Sequence, residues 1–275
     1  VEDAMNTENE TASGGGRGGG APGRIVSRKE GNVFVMGIDR PEKFNGFSPK
    51  MFDELAAAYQ AYEDDDGARC ALLYGEGKHF AAGADLNLVD LDFNIFPDGV
   101  VNPCNMGAIR RTKPLVVAVQ GVCFTIGVEL MLAADIVVAA SDTRFGQIEV
   151  ARGVLPFAGG TFQMVERAGW GNAMRYLLTG EEFDAETAYR MGFVQEVVAP
   201  GKQFAKAMAI AERIAAQAPL AVQATMASAR TAMLEGIPAA AAALPATVTR
   251  LRATEDFAEG MLSFKEKRDG RFVGR

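Results

Sequence analysis

Apolar and polar positions along this chain form blocks whose period changes at about residue 24 and again after about residue 158. Residues 1–23 are polar and then glycine-rich, with Arg17 set between two runs of three glycines. Such a segment has too little apolar surface to offset the entropy of ordering, which predicts a disordered tail. From Arg24 the pattern predicts two strands, at 24–27 and 32–38, joined by a turn at Glu30-Gly31. Ser48-Pro49 is a helix start, and Met51, Leu55, Ala58, Tyr59 and Tyr62 follow at helical spacing until the acidic run 63–66 ends the helix. Continuous apolar runs at 70–74, 115–119 and 136–140 predict buried strands, with a short helix containing Glu129 between the last two. Strands alternating with helices give an α/β fold.

After residue 158 the chain is predicted mostly helical, broken at Gly180, Gly192, Pro200-Gly201, Pro219, Gly236 and Pro238. The alanine-rich segments 202–217, 220–235 and 239–252 have strong helix propensity but few large apolar side chains for a core. They are expected to pack against a neighbouring subunit, the alternative being a self-contained helical subdomain.

Composition narrows the function. The 275 residues suffice for one large domain, or one with a small appendage, and 48% apolar content suits a packed core. A net charge of -7 and a pI near 5.0 argue against nucleic acid or an anionic membrane surface as the main partner. No apolar run approaches the length of a bilayer span. Cys70, Cys104 and Cys123 are scattered and His79 is the only histidine, so neither a disulfide framework nor a metal site is suggested. A reducing, cytoplasmic setting is the simplest expectation. The acidic N-terminus, with Glu2, Asp3, Glu8 and Glu10, resembles neither a secretory signal nor a transit peptide.

Two glutamates stand out. Glu129 is the only charged residue in the run 125–134, and Glu149 lies between Ile148 and Val150 after the turn-like Phe145-Gly146-Gln147. Exposed helix edges hold most glutamates. A buried carboxylate instead has its pKa raised, and two such groups suit proton transfer near neutral pH.

Three segments resemble the crotonase (enoyl-CoA hydratase/isomerase) superfamily. They are Lys78-His79-Phe80-Ala81-Ala82-Gly83-Ala84-Asp85-Leu86; Gly121 through Glu129-Leu130 to Ala134-Asp135-Ile136; and Arg144-Phe145-Gly146-Gln147-Ile148-Glu149 with the stretch 153–161. Arg40-Pro41 with Asn45, Leu178-Thr179-Gly180, Thr254-Glu255-Asp256 and the segment 264–267 extend the likeness over essentially everything from residue 24. Each motif alone is weak; their order and spacing together are specific.

The resemblance implies a spiral of ββα units over residues 24–200 and a helical oligomerisation region over 201–275, assembled as a homotrimer or homohexamer. It implies an acyl-CoA thioester substrate, with coenzyme A arriving as part of that substrate and no separate cofactor. The backbone N–H groups of Ala84 and Ile126 would form an oxyanion hole, the second at a helix start where unpaired N–H groups favour an anion. Glu129 would help activate water and Glu149 exchange a proton with the α-carbon, which makes enoyl-CoA hydration the expected reaction. An isomerase, or another enolate-forming reaction on an unusual acyl group, is the enzymatic alternative. A silent acyl-CoA- or RNA-binding relative is the non-enzymatic one. Lys43, Phe264 and Lys267 match positions near the adenosine and phosphate groups, the last two often donated across a subunit interface. Ala82, Asp85, Leu86, Gly127, Pro156 and Phe157 complete the candidate substrate contacts, with Asp85 bracing the oxyanion turn.

The chain also departs from the family. Thr125-Ile126-Gly127 stands where hydratases usually carry a glycine run, so added bulk is expected beside the thioester carbonyl. Phe157 replaces a glycine and is expected to narrow or redirect the acyl pocket unless it points into the core. The loop 88–106, with Phe93, Phe96, Pro97 and Pro103, is expected to form part of the acyl wall.

Overall fold

The computed structural model describes residues 22–88 and 95–275. Strands β1 (Arg24–Glu30) and β2 (Val33–Asp39) pair antiparallel through the tight turn at Gly31-Asn32, with Arg24 opposite Asp39 and Glu30 opposite Val33. Next to β2, β3 (Cys70–Gly75), β4 (Leu115–Val119), β6 (Ile136–Ala140) and β9 (Glu196–Val198) add in parallel, giving a six-stranded sheet in the order β1-β2-β3-β4-β6-β9. The continuous apolar runs are explained by burial on both faces. Leu72, Val116, Ala118 and Val138 pack on one side, while Leu73, Val117, Val119 and Ala139 face the larger core on the other.

Helix α1 (Pro49–Asp64) covers the larger core with Met51, Leu55, Tyr59 and Tyr62. Ser48 is its N-cap and accepts from Met51 N–H at 3.4 Å, as the Ser-Pro start predicts. The opposite face of the sheet is closed by α6 (Gln203–Ala215), through Ala207, Met208, Ala211 and Ala215. That helix, grouped by sequence with the C-terminal region, therefore packs with the sheet.

A second sheet escaped the sequence pattern. It joins β5 (Val122–Phe124), β7 (Arg144–Gly146) and β8 (Phe183–Asp184), with Cys123 paired to Phe145. Phe145-Gly146, expected to be turn-like, is thus strand; three residues are too few to show alternation. Strands β4 and β6 are each followed by a short strand of this second sheet, which is the repeating turn of the spiral. After β5 the chain enters α2 (Ile126–Leu132), a seven-residue helix with every side chain buried.

Beyond Gly159 come α3 (Gly160–Ala168), α4 (Trp170–Leu177) and α5 (Ala185–Arg190). Helices α7 (Pro219–Glu235) and α8 (Ile237–Arg252) bury one side chain each, Ala224 and Ala240. Met233, Leu234 and Ile237 at their junction are 64%, 63% and 77% exposed, far more than a closed subdomain would leave open. Helix α9 (Glu255–Glu266) is the last helix, and the residues after it fold back so that Asp256 accepts from Val273 and Gly274 N–H groups.

Candidate active site

The segment 81–85, which carries the candidate oxyanion donor Ala84, is held by a buried polar brace. Asn45, in the left-handed region at φ 56°, accepts from Arg40 N–H at 2.8 Å and donates to the carbonyls of Glu76 and His79 at 2.9 and 2.7 Å. The Arg40 guanidinium, 2% exposed, donates to Gly46 O and to Asp85 Oδ2, both at 2.9 Å. Asp85 also accepts from Asn87 N–H, closing a turn around its own carboxylate, and the Arg40 contact helps hold it below the usual carboxylate range against the effect of burial. Phe47 N–H donates to Gly83 O at 2.8 Å and Asp85 N–H to Phe47 O at 2.9 Å. Between these two bonds, Ala84 N–H has no acceptor among the described residues.

The second half of the site is brought against this loop by backbone contact. Phe124 N–H donates to Ala81 O at 2.9 Å, and Ala81 bridges to Cys123. A Cβ on Gly127 would lie 3.0 Å from Ala81 O, a close approach of two backbones that favours glycine here. Ile126 N–H opens α2 and likewise has no acceptor among the described residues. The helix is so short that its free N–H groups matter more than any macrodipole.

The bulk of Thr125-Ile126 separates into two destinations. Ile126 is 5% exposed and joins the larger core, so its side chain does not crowd the carbonyl position. Thr125 adopts φ 50° and ψ -115°, the first central position of a type II′ turn and a conformation that ordinarily requires glycine. Holding a β-branched residue there costs about 1–3 kcal/mol. Its Oγ1 lies over Gly83, where an added Cβ would sit 2.4 Å away.

Glu129 is 3% exposed on α2, and its Oε1 accepts from Ala158 and Gly160 N–H groups at 2.8 and 3.0 Å. No donor among the described residues reaches its other oxygen. Burial nevertheless wins over the two hydrogen bonds, and its pKa rises to about 7. Glu149 starts a single 3-10 turn (Glu149–Arg152), is 8% exposed, and has Oε2 buried without a partner. Burial, reinforced by the negative charge of Glu129, lifts its pKa to about 7 as well, against its own backbone N–H. Gln147 is fully buried nearby with neither amide atom partnered; its Nε2 would lie 2.2 Å from a Cβ on Gly160.

The raised pKa values set two opposite pH trends. A reaction needing one carboxyl protonated and the other ionised should show kcat/KM peaking near pH 7 and declining on both sides, the pair titrating as a unit. Folding stability should be fully present below the unfolded value of 4.5 and fall as pH rises towards about 7, because the folded chain holds protons that the unfolded chain has released. The loss is at most roughly 3 kcal/mol per carboxyl. Glu149→Gln should therefore raise the denaturation midpoint at about pH 8 and leave it near the wild-type value at about pH 5.

The remaining sequence candidates lie at varied depths. Pro156 is buried against Gly160, whereas Phe157 is turned out of the core at 44% exposure beside Leu155 at 62%. Ala82 is half-buried and donates to Phe44 O; Leu86 is 62% exposed and Lys43 is exposed. Phe264 is 81% exposed, and Lys267 caps α9 in the left-handed region. Phe96 is buried in the larger core and Phe93 lies outside the described residues. His79 accepts from Val122 N–H at 3.0 Å and stacks on Phe44, a structural placement. Two clefts, one lined by Asn32, Arg69 and Phe272 and the other by Lys78, His79 and Gln203, include neither carboxyl, so the site is located by its chemistry. The sequence had singled out neither the strain at Thr125 nor the unpartnered Gln147; the missing family glycine was the one available signal for the first.

The chain resembles several known proteins over nearly its whole length. Residues 28–275 match the family described as enoyl-CoA hydratase/isomerase. A probable enoyl-CoA hydratase of Rhizobium meliloti is 34% identical, covering 91% of this chain and 98% of its own. The 1,2-epoxyphenylacetyl-CoA isomerase of Escherichia coli is 32% identical with the same coverage. A crystal structure of a probable enoyl-CoA hydratase/isomerase from Mycobacterium abscessus superimposes with a TM-score of 0.88 at 46% identity, covering 91% of this chain and 98% of that one.

Proposed function

This chain belongs to the enoyl-CoA hydratase/isomerase family, and we propose that it adds water reversibly to a trans-2-enoyl-CoA thioester at the site built around Glu129 and Glu149. One observation carries the reading: two buried carboxyls, both raised to about 7, each keep an oxygen that no donor among the described residues reaches, Glu129 being held through Oε1 alone and Glu149 Oε2 having no partner. With the thioester oxygen held by the N–H groups of Ala84 and Ile126, negative charge developing on it is stabilised. Ionised Glu129 then takes a proton from water as the oxygen attacks the β-carbon. Protonated Glu149 delivers its proton to the α-carbon as the enolate collapses. Reversal exchanges the two roles. The anchoring of Glu129 by Ala158 and Gly160 supports a fixed water position, because it leaves the carboxyl a single usable orientation.

The CoA portion is assigned to Ala82, Leu86 and Lys43, with Phe264 and Lys267 supplied by a neighbouring subunit. The exposed apolar junction of α7 and α8, and Phe264 standing in solvent, support a homotrimer or a pair of trimers. Among the described residues no helix is long and apolar enough to cross a membrane. Three buried free cysteines are compatible with the cytoplasm.

The test follows loss of the conjugated thioester's absorbance on incubation with crotonyl-CoA and longer trans-2-enoyl-CoA esters, with 3-enoyl-CoA esters in parallel. Water addition, together with a solution mass of three or six chains, is the expected result. Binding of enoyl esters without hydration, accompanied by conversion of 3-enoyl to 2-enoyl esters, would assign the site to the isomerase reaction.

A further inference from the structure

We infer that the Thr125 hydroxyl is a third, side-chain donor to the thioester oxygen, added to the two backbone N–H groups on either side of it. The inference rests on the acyl-CoA reading of the site. Three independent features point to it. Thr125 occupies a backbone conformation, φ 50° and ψ -115°, that glycine takes without strain, so the side chain is kept against a steric penalty. Its hydroxyl makes no hydrogen bond to any described residue. Finally, Oγ1 lies over Gly83, the residue that precedes the free Ala84 N–H, while Thr125 itself precedes the free Ile126 N–H.

The alternatives for this side chain are weaker. Packing alone would not need a hydroxyl, and a helix cap would show it accepting from the first turn of α2, which it does not. A hydroxyl rotates freely and donates to whatever acceptor arrives. The acceptor that arrives here is the thioester oxygen, and a donor aimed at developing charge acts mainly on the transition state. Thr125 is then a catalytic residue by contact, its hydrogen bond strengthening as negative charge builds on the thioester oxygen during attack at the β-carbon.

The experiment compares wild type, Thr125→Val, Thr125→Ser and Thr125→Gly. Valine keeps the β-branched shape and loses the hydroxyl; serine keeps the hydroxyl; glycine removes both hydroxyl and strain. Turnover is measured on enoyl-CoA, and the infrared carbonyl band is measured on bound butyryl-CoA labelled with carbon-13 at the thioester carbon, which cannot be hydrated. The expected result is a kcat lower by on the order of 100-fold in the valine and glycine variants with KM little changed. The carbonyl band should move back towards its free position in both, and serine should restore most of what valine loses. Glycine should be at least as stable as wild type, which separates the hydroxyl's effect from misfolding. Wild-type turnover and an unchanged, still-shifted band in Thr125→Val and Thr125→Gly would overturn the third donor while leaving the two-donor site intact. A wild-type carbonyl band that does not shift on binding would overturn both the third donor and the oxyanion reading beneath it.

Discussion

Glu149→Gln is expected to lower kcat for hydration by about 10²- to 10⁴-fold while leaving KM within a few-fold. The amide cannot deliver a proton to the α-carbon, yet it fills the same volume at a position only 8% exposed. Glu129→Gln should match it for hydration. Its amide oxygen can still accept from Ala158 and Gly160, so the loop at 156–160 stays in place and the loss reports chemistry. In the proposed mechanism the two groups serve one reaction, so the double variant should be little worse than either single one. Steady-state hydration of a 2-enoyl-CoA and isomerisation of a 3-enoyl-CoA are to be measured on the same preparations. Hydration surviving in Glu129→Gln would exclude water activation by that residue. Isomerisation surviving there while hydration is lost would show Glu149 acting as a lone proton shuttle.

The second large effect falls on the C-terminal end of α2. Arg111 is 1% exposed and donates to Asp135 Oδ2 at 2.6 Å, Lys113 O at 2.7 Å and Ala133 O at 2.8 Å. Ala133 follows α2 directly, and Asn105 Nδ2 shares its carbonyl at 2.8 Å. Arg167 grips the neighbouring Leu132 and Ala134 carbonyls at 2.7 and 2.6 Å. The carbonyls of Leu132, Ala133 and Ala134 at the end of α2 are therefore answered by two guanidiniums and the Asn105 amide. Arg111→Met should destabilise the fold by about 1–3 kcal/mol: Lys113 O loses its donor, while Ala133 O keeps Asn105 and Asp135 keeps Leu115 N–H at 2.8 Å and Arg230 at 3.6 Å. Arg111→Lys should recover only part, because an ammonium cannot span the three acceptors as a planar fork does. Denaturant midpoints at fixed protomer concentration are the measurement, as assembly would otherwise contribute to the apparent stability. A loss below about 1 kcal/mol for Arg111→Met would show that water replaces the guanidinium without penalty.

Much of this protein was legible before any coordinates. Leu115–Val119 and Ile136–Ala140 were given residue for residue, because strands buried on both faces leave an unbroken apolar signal. The start of α1 was given by Ser48-Pro49, since capping is local chemistry. The two glutamates were conspicuous for the same reason: a charge inside an apolar run needs no neighbour to be noticed. Sparse large side chains in α7 and α8 likewise foreshadowed surfaces left uncovered by the chain itself.

What the sequence left open depends on residues far apart along the chain. Strands β5, β7 and β8 have two or three residues each and exist only because they pair with one another. The segments that carry the free N–H groups of Ala84 and Ile126 meet through the Phe124 N–H to Ala81 O bond and the Ala81–Cys123 bridge, a contact no local pattern encodes. The fate of Thr125 and Ile126 was decided the same way: one side chain entered the core and the other was held strained over Gly83. Sequence thus determined which groups could carry the chemistry, through local propensity and charge. Tertiary packing decided which of them lose water, and desolvation is what moves two ordinary carboxyls to a pKa of about 7.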